Sequence, residues 1–368
     1  MVNHFSPITR NSKLLIGRNN IKSVSQRYYS VGNKESITPE LAEGVGAVPE
    51  QIKNKQQRLE SPSQFVCQLS NIKLFGEPPL FLDKYNRPVV EEFEGSTRLA
   101  YKSIIKNIRN GHILKYKFED KNKIKEPVSA FCGFWSNGYY HWYVDYLPKI
   151  RALEVYYQQT NVFPKIILRN PTQWQIDSLE ILGVPEEKLL ITEKPKLIDK
   201  YVLPSLPRYV DRDKPAYGYV PSPSSILWVK NRIKSNLPNV SKGNREERIL
   251  ITRSNAAKRK ILNIDELVKK TRTLGFKPYT LDELTIRQQI ELFSHADIVV
   301  APHGAGLTNT IFSEDTTVVE IVGDYFVPCY YVLSNILGHD YHYFRAEEVE
   351  QDISVNSNSL VKYINSLM

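Results

Sequence analysis

The stretch "DIVVAPHGAGLTNTIFSEDTTVVEIV", residues 297–322, decides the fold. A short apolar run, "DIVVA", reads as a buried strand. It breaks at a glycine-rich turn, "PHGAG", continues through a short helix, "LTNTIF", and resumes as a second apolar strand, "TVVEIV". Strand, tight turn, helix, strand is the unit of an open parallel sheet, and in such sheets ligands gather beyond the carboxyl ends of the strands. Gly304 and Gly306 let the backbone approach a ligand, and the first turn of the following helix offers unpaired N–H groups at a positive dipole end. Both features favour a phosphate.

His303 has two readings at this level: a donor to that phosphate, or a cap on the strand end. Asn309 reaches either the ligand or the turn itself. The spacing is not a dinucleotide fingerprint, because G-x-G-x-x-G requires glycine at 309, and a dehydrogenase reading weakens accordingly. Glu320 lies in an otherwise apolar strand and needs a partner, whether ribose hydroxyls or protein groups.

The same alternation extends outward. "SSILWVKNRIKSNL" reads as a helix, "RILITR" as a strand, "NIDELVKKTRTLG" as a helix with a capping box at Asn263 and Glu266, "FKPYT" as a strand and "LTIRQQIELFSHA" as a helix. Arg253 follows directly on a strand and Arg259 sits in the loop beyond it, where two guanidinium forks can grip a diphosphate. Lys258 and Lys260 read as solvated.

Upstream, "PKIIL", "KLLIT" and "KYVLP" read as strands and "TQWQIDSLEILG" as a helix closed by Gly183. Earlier still, "QFVCQL", "RPVVEEF" and "ILKYKF" read as strands, with a helix from Ser96 through Ile108. Pro204, Pro207, Pro215, Pro221 and Pro223 crowd together and mark a linker at 206–223. It separates an α/β domain at 61–205 from a second at 224–368, and 1–60 reads as an extension or a loosely packed arm. The expected architecture is two Rossmann-like domains with a cleft between them.

"GFWSNGYYHWYVDYLPKI", 133–150, carries His141 and Asp145 at i, i+4, one face of a helix. Such a pair suits a general base for a sugar or alcohol hydroxyl, with Tyr139, Tyr140, Trp142 and Tyr143 as flat surfaces for a sugar ring. A buried structural pair, with the aromatics as core, is the plainer alternative. A metal site lacks a third ligand at a telling spacing. A serine nucleophile elbow fails, since two residues, Phe134 and Trp135, separate Gly133 from Ser136 instead of the single one G-x-S-x-G demands.

Composition narrows the class. At 368 residues with 41% hydrophobic content the chain supports two domains with real cores. The formal charge of +9 admits anionic ligands and lipid head groups, but no block of like charge points to nucleic acid. Three scattered cysteines exclude a disulfide framework and fit a reducing compartment. No apolar run reaches about 18 residues, so neither a transmembrane helix nor a secretory signal is expected.

In order and spacing, "YYHWYVDYLPKI", "ILITRSNAAKRKILNIDEL", "SHADIVVAPHGAGLTNTIF" and "VVEIV" together resemble glycosyltransferase family 61, over roughly 130–325. The resemblance implies a GT-B fold and an inverting, metal-independent transferase acting on nucleoside-diphosphate sugars, with no cofactor. By position it assigns Arg253, Arg259, His303, Gly304, Ala305 and Gly306 to the diphosphate, Asn309 to their support and Glu320 to the ribose side. His141 and Asp145 fall on the family's H-x-x-x-D on the acceptor side. Where the family often has an acidic residue after the asparagine matched by Asn263, this chain has Ile264. The implied partners are a nucleotide-sugar donor and a glycan or lipid-linked glycan acceptor, in surface or capsular polysaccharide synthesis, at a cytoplasmic site with peripheral contact to a membrane surface. A nucleotide-sugar-binding or scaffolding protein without activity is the alternative. At this level His303→Ala is expected to weaken donor binding without unfolding the domain.

Overall fold

Alternation of apolar strands with amphipathic helices produces two α/β units, each with its own sheet. The computed structural model describes residues 14–112, 118, 123–208, 220–237 and 247–368. One unit holds the described residues up to Glu35 together with Ser61–Ser225, and the other holds Ser36–Glu60 and Ile226–Met368.

In the first unit, β1 (Arg27–Gly32), β2 (Gln64–Phe75), the short β3 (Leu80–Leu82), α1 (Thr97–Arg109), β4 (Lys123–Ala130), α2 (Lys149–Thr160), β5 (Lys165–Leu168), α3 (Gln173–Ile181), β6 (Leu189–Ile191) and β7 (Lys196–Pro204) follow in chain order. The sheet runs β1–β2–β7–β4–β5–β6, with β3 added on β2. From β7 to β6 it is parallel, and β1–β2–β7 is antiparallel. Ser96 caps α1 by accepting from the Leu99 N–H at 3.3 Å. Thr172 and Gln175 close a capping box on α3.

Two readings of this half are corrected. "RPVVEEF" forms a 3₁₀ turn, Val90–Phe93, instead of a strand. Its two carboxylates turn inward to different partners, Glu91 to Arg18 at 2.7 Å and Glu92 to the Tyr201 hydroxyl at 2.5 Å, which a pleated strand would send to opposite faces. The N-terminal segment is not a loose arm over its described part: Ile16 and Ile21 are buried in the core with Phe65, Leu69 and Phe81, and β1 extends the sheet. Most of "ILKYKF" and the center of the proline-rich linker, Pro215 included, lie outside the described residues.

The second unit contains most of α4 (Pro223–Asn236), then β8 (Glu247–Ile251), α5 (Ile264–Thr271), β9 (Phe276–Tyr279), α6 (Ile286–Ser294), β10 (Ala296–Pro302), β11 (Thr317–Val322), α7 (Cys329–Leu337), β12 (Asp340–Arg345) and α8 (Ser357–Leu367). Its sheet runs β9–β8–β10–β11–β12, with Glu43–Val45 on the far edge, and every pair is parallel. A parallel sheet covered on both faces needs strands apolar on both sides, which is why "IVVAP" is buried throughout. The chain passes from β8 outward to β9 and then returns to β10 on the other side of β8, so the direction of winding reverses between β8 and β10. A crevice outside the carboxyl ends of these two strands follows from that reversal.

Asn263 stands at the start of α5 but makes no capping box. Its side chain is drawn away to the backbone of Val355, accepting from N–H at 3.0 Å and donating to O at 2.7 Å. The box occurs on α6, where Thr285 and Gln288 supply it. Among the described residues no helix is long and apolar enough to cross a membrane.

Candidate functional site

Functional groups collect at the carboxyl edge of each sheet. In the second unit, Arg253 lies two residues beyond β8 and His303 directly beyond β10, on the two strands where the winding reverses. The main chain N–H of His303 still donates to the Ile321 carbonyl at 2.9 Å, which fixes where its ring leaves the sheet. Nδ1–H then donates to Oε1 of Glu320 at 2.5 Å, and Oε2 of Glu320 accepts from the Tyr341 hydroxyl at 2.6 Å. Glu320 is fully buried, and these two protein groups satisfy it. Its expected place beside a ribose gives way to an orienting role on His303, because both oxygens face inward partners.

A Cβ at Gly304 would meet Nη1 of Arg253 at 1.7 Å, so a side chain there would displace the guanidinium. The Nη1 end of the Arg253 guanidinium thus lies against the turn. Burial and the neighboring charge of Arg259 lower its pKa, and among the described residues neither arginine forms an ion pair. Nε of Arg253 is buried with no hydrogen-bond partner. Both arginines hold left-handed backbone, at φ 52° and 60°, a conformation that costs a non-glycine residue on the order of 1 kcal/mol. Arg259 places its guanidinium over the Tyr325 ring at 4.9 Å, and Tyr325 lies 5.9 Å from the His303 ring. Two unneutralised guanidinium groups and an imidazole held by one nitrogen therefore share one edge, an arrangement suited to an anion with several oxygens. Asn309 is elsewhere engaged: it is buried and donates to Oε1 of Gln289 on α6 at 2.8 Å, holding the turn to that helix. Ala305 and Gly306 open the 3₁₀ helix Ala305–Phe312.

In the first unit, His141 closes a single α-turn and Asp145 falls in the π-helical turn Trp142–Tyr146 that follows. The wider turn still brings them together, with Nδ1–H of His141 donating to Oδ2 of Asp145 at 2.7 Å. Asp145 is fully buried, while the His141 side chain is 21% exposed. Arg208, four residues past β7, grips the same carboxylate, Nε to Oδ1 at 2.6 Å and Nη2 to Oδ2 at 2.9 Å, and reaches Oε2 of Glu94 at 3.0 Å. Burial alone would push the Asp145 carboxyl up, but Arg208 and His141 outweigh it and hold the group well below the usual range. Burial and the charge of Asp145 raise Glu94, and Arg208 only partly offsets them.

The aromatics beside this pair are core. Tyr140, Trp142 and Tyr143 are buried, with the indole N–H of Trp142 donating to Ser178 at 2.8 Å, so they offer no surface to a sugar. The exposed rings belong to the preceding loop: Phe134, and Trp135, which stacks on His141 at 5.5 Å. Arg208 and Glu94 escape sequence reasoning because each is an isolated charge in a proline- or glutamate-rich run with no spacing to any partner. Tyr325 escapes it because one exposed ring in a loop has no spacing to Arg259 or His303. Among the described residues no three His, Cys, Asp or Glu side chains group to hold a metal ion.

With this geometry in place, comparison with known families is specific. Residues 139–319 match the family model described as Glycosyltransferase 61, a span that includes both the His141–Asp145 pair and the Arg253–His303 edge. No curated protein matches the chain.

Proposed function

Because the chain belongs to glycosyltransferase family 61 over residues 139–319, we propose that it transfers a sugar from a nucleoside-diphosphate donor to a hydroxyl of a glycan acceptor, inverting the anomeric carbon. The observation that carries this reading is the pair of arginines, Arg253 and Arg259, held in left-handed backbone beside His303 with no carboxylate among the described residues to neutralise them. Strain and unpaired charge of that kind are kept where a ligand uses them.

The diphosphate leaving group develops negative charge as the glycosidic bond to it breaks. Arg253 and Arg259 stabilise that charge, and the backbone N–H groups of the Gly304–Gly306 turn add to it. With Nδ1 donated to Glu320, His303 acts through Nε2, which donates to a phosphate oxygen when the ring carries both protons. In the acceptor reaction the proton of the attacking hydroxyl goes to His141. Asp145 cannot take it directly, since Arg208 and His141 already occupy both its oxygens. Asp145 orients the imidazole and stabilises the imidazolium that forms, and Arg208 holds Asp145.

The GT-B organisation is part of the same proposal, supported by an α/β sheet in each unit, wholly parallel in the second and partly parallel in the first, with candidate groups beyond its parallel strands. So is a cytoplasmic site of action, which three buried, unpaired cysteines support, with a lipid-linked or surface glycan as the acceptor. The test is a panel of nucleoside-diphosphate sugars, scored for nucleoside diphosphate release with and without oligosaccharide acceptors. Release from one donor that increases with acceptor is expected. Binding of a nucleoside diphosphate without release from any donor overturns the transfer reading in favour of a binding protein.

A further inference from the structure

A cavity of about 680 Å³ opens within the first unit at the carboxyl ends of β4, β5 and β6. That volume is in the range of small-molecule sites. Lys102 and Lys106, one helical turn apart on α1, line it, as does Arg169, the residue that follows β5. Arg169 gives Nη1 to the Gly76 carbonyl at 2.6 Å and Nη2 to the Glu193 carbonyl at 3.0 Å, so two carbonyls fix it and no carboxylate cancels its charge among the described residues. Lys102 and Lys106 form no ion pair among the described residues either. Two carboxylates share the lining, Glu77 and Glu193, and Glu193 is already bonded to the side-chain amide of Asn170.

Three further features point to a hydroxylated ligand. The Ser103 hydroxyl lines the cavity, is buried and has no hydrogen-bond partner. Phe134 lines it with a ring 37% exposed, a face on which a sugar can rest. The same loop sets the Phe134 ring 4.9 Å from Trp135, which stacks on His141 at 5.5 Å, so contacts run from the cavity lining to the group assigned to take the acceptor's proton.

We propose that this cavity binds an acidic sugar unit of the acceptor glycan, one bearing a carboxylate or a phosphate, with Lys102 and Lys106 on the anion and Phe134 under the ring. The word acceptor rests on the function proposed above, whereas the ligand's chemistry rests on the cavity alone. The full chain is titrated with glucuronic acid, glucose 6-phosphate, glucose and inorganic phosphate, and ligand binding is read by saturation-transfer NMR and calorimetry. The acidic sugars are expected to bind at least about tenfold more tightly than glucose. The exposed pair Lys102→Gln/Lys106→Gln should lose that preference, with unchanged circular dichroism and unchanged affinity for uridine diphosphate.

Equal binding of glucose and glucuronic acid, or an unaltered preference in the double variant, overturns the proposal. Inorganic phosphate binding as tightly as glucose 6-phosphate overturns its glycan part and leaves an anion site only. Displacement of glucuronic acid by uridine diphosphate would place both in one site and also overturn it. No donor sugar enters these titrations, so failure of the transfer assay and failure here are separate results.

Discussion

Arg208 holds the carboxylate of Asp145 through two N–H groups, Nε to Oδ1 at 2.6 Å and Nη2 to Oδ2 at 2.9 Å, in a site where both side chains are buried. A buried carboxylate so gripped is an anchor, and under the proposed function it divides the work of the His141–Asp145 pair: the partly exposed member would exchange protons and the buried one keep it in place.

Arg208→Met tests the grip through pH. In the native protein Asp145 sits below its ordinary value of 3.8, so the stability it contributes is present above that value and is lost as pH falls below it. Without Arg208, burial pushes Asp145 up instead, and the folded state binds the proton more tightly than the unfolded one. The variant should be less stable at pH 7 by about 3 kcal/mol and should recover on acidification to about pH 5. Thermal denaturation at both pH values checks this; a variant with the native pH profile would contradict it.

His303 cannot be truncated as freely as its place in a glycine-rich turn suggests. His303→Ala leaves Glu320, fully buried, with Tyr341 as its remaining hydrogen-bond donor, and should cost about 1–3 kcal/mol in addition to weakening donor binding. His303→Gln can keep an N–H on Glu320 while removing the second ring nitrogen. It should lose nucleoside diphosphate affinity by about tenfold and retain more of the stability, as calorimetric titration and melting together will read.

Arg259→Gly separates binding from folding. Glycine relieves the φ of 60°, so the variant should be as stable as the parent or up to about 1 kcal/mol more stable. Loss of a charge-assisted phosphate contact should lower nucleoside diphosphate affinity by about thirtyfold. A loss of stability with unchanged affinity would make Arg259 structural.

Lys55 offers a control outside the groups assigned to the chemistry. It is 2% exposed, and burial lowers its pKa to about 8 from an ordinary 10.5. Between those values the unfolded chain holds a proton that the folded one has lost, so stability should rise with pH across that window. Lys55→Met should remove the rise, as thermal denaturation across that window will read.

How far the sequence carries is clearest residue by residue. The second unit's order of strands and helices, and Arg253 and His303 at the carboxyl ends of β8 and β10, are legible because a fully buried parallel sheet writes itself as continuous apolar runs with glycine breaks. The His141–Asp145 contact is legible from i, i+4 spacing even though the local turn is π-helical. Arg208, 63 residues from Asp145, is not legible, since only the tertiary fold joins two isolated charges. Glu91 and Glu92 mislead for a related reason: an apolar alternation around buried carboxylates looks like a strand until the fold supplies Arg18 and Tyr201. Likewise Asn263 and Glu266 have the capping spacing, but Val355 takes the asparagine.

The account's central claim is sugar transfer with inversion, with His141 receiving the acceptor's proton. With the donor identified by the panel, proton NMR of the anomeric signals during turnover by the native protein and His141→Ala tests it most directly. The account predicts a product of opposite anomeric configuration to the donor, and a rate about a thousandfold lower in the variant at unchanged nucleoside diphosphate affinity. A product of retained configuration, or an undiminished rate in His141→Ala, would contradict it.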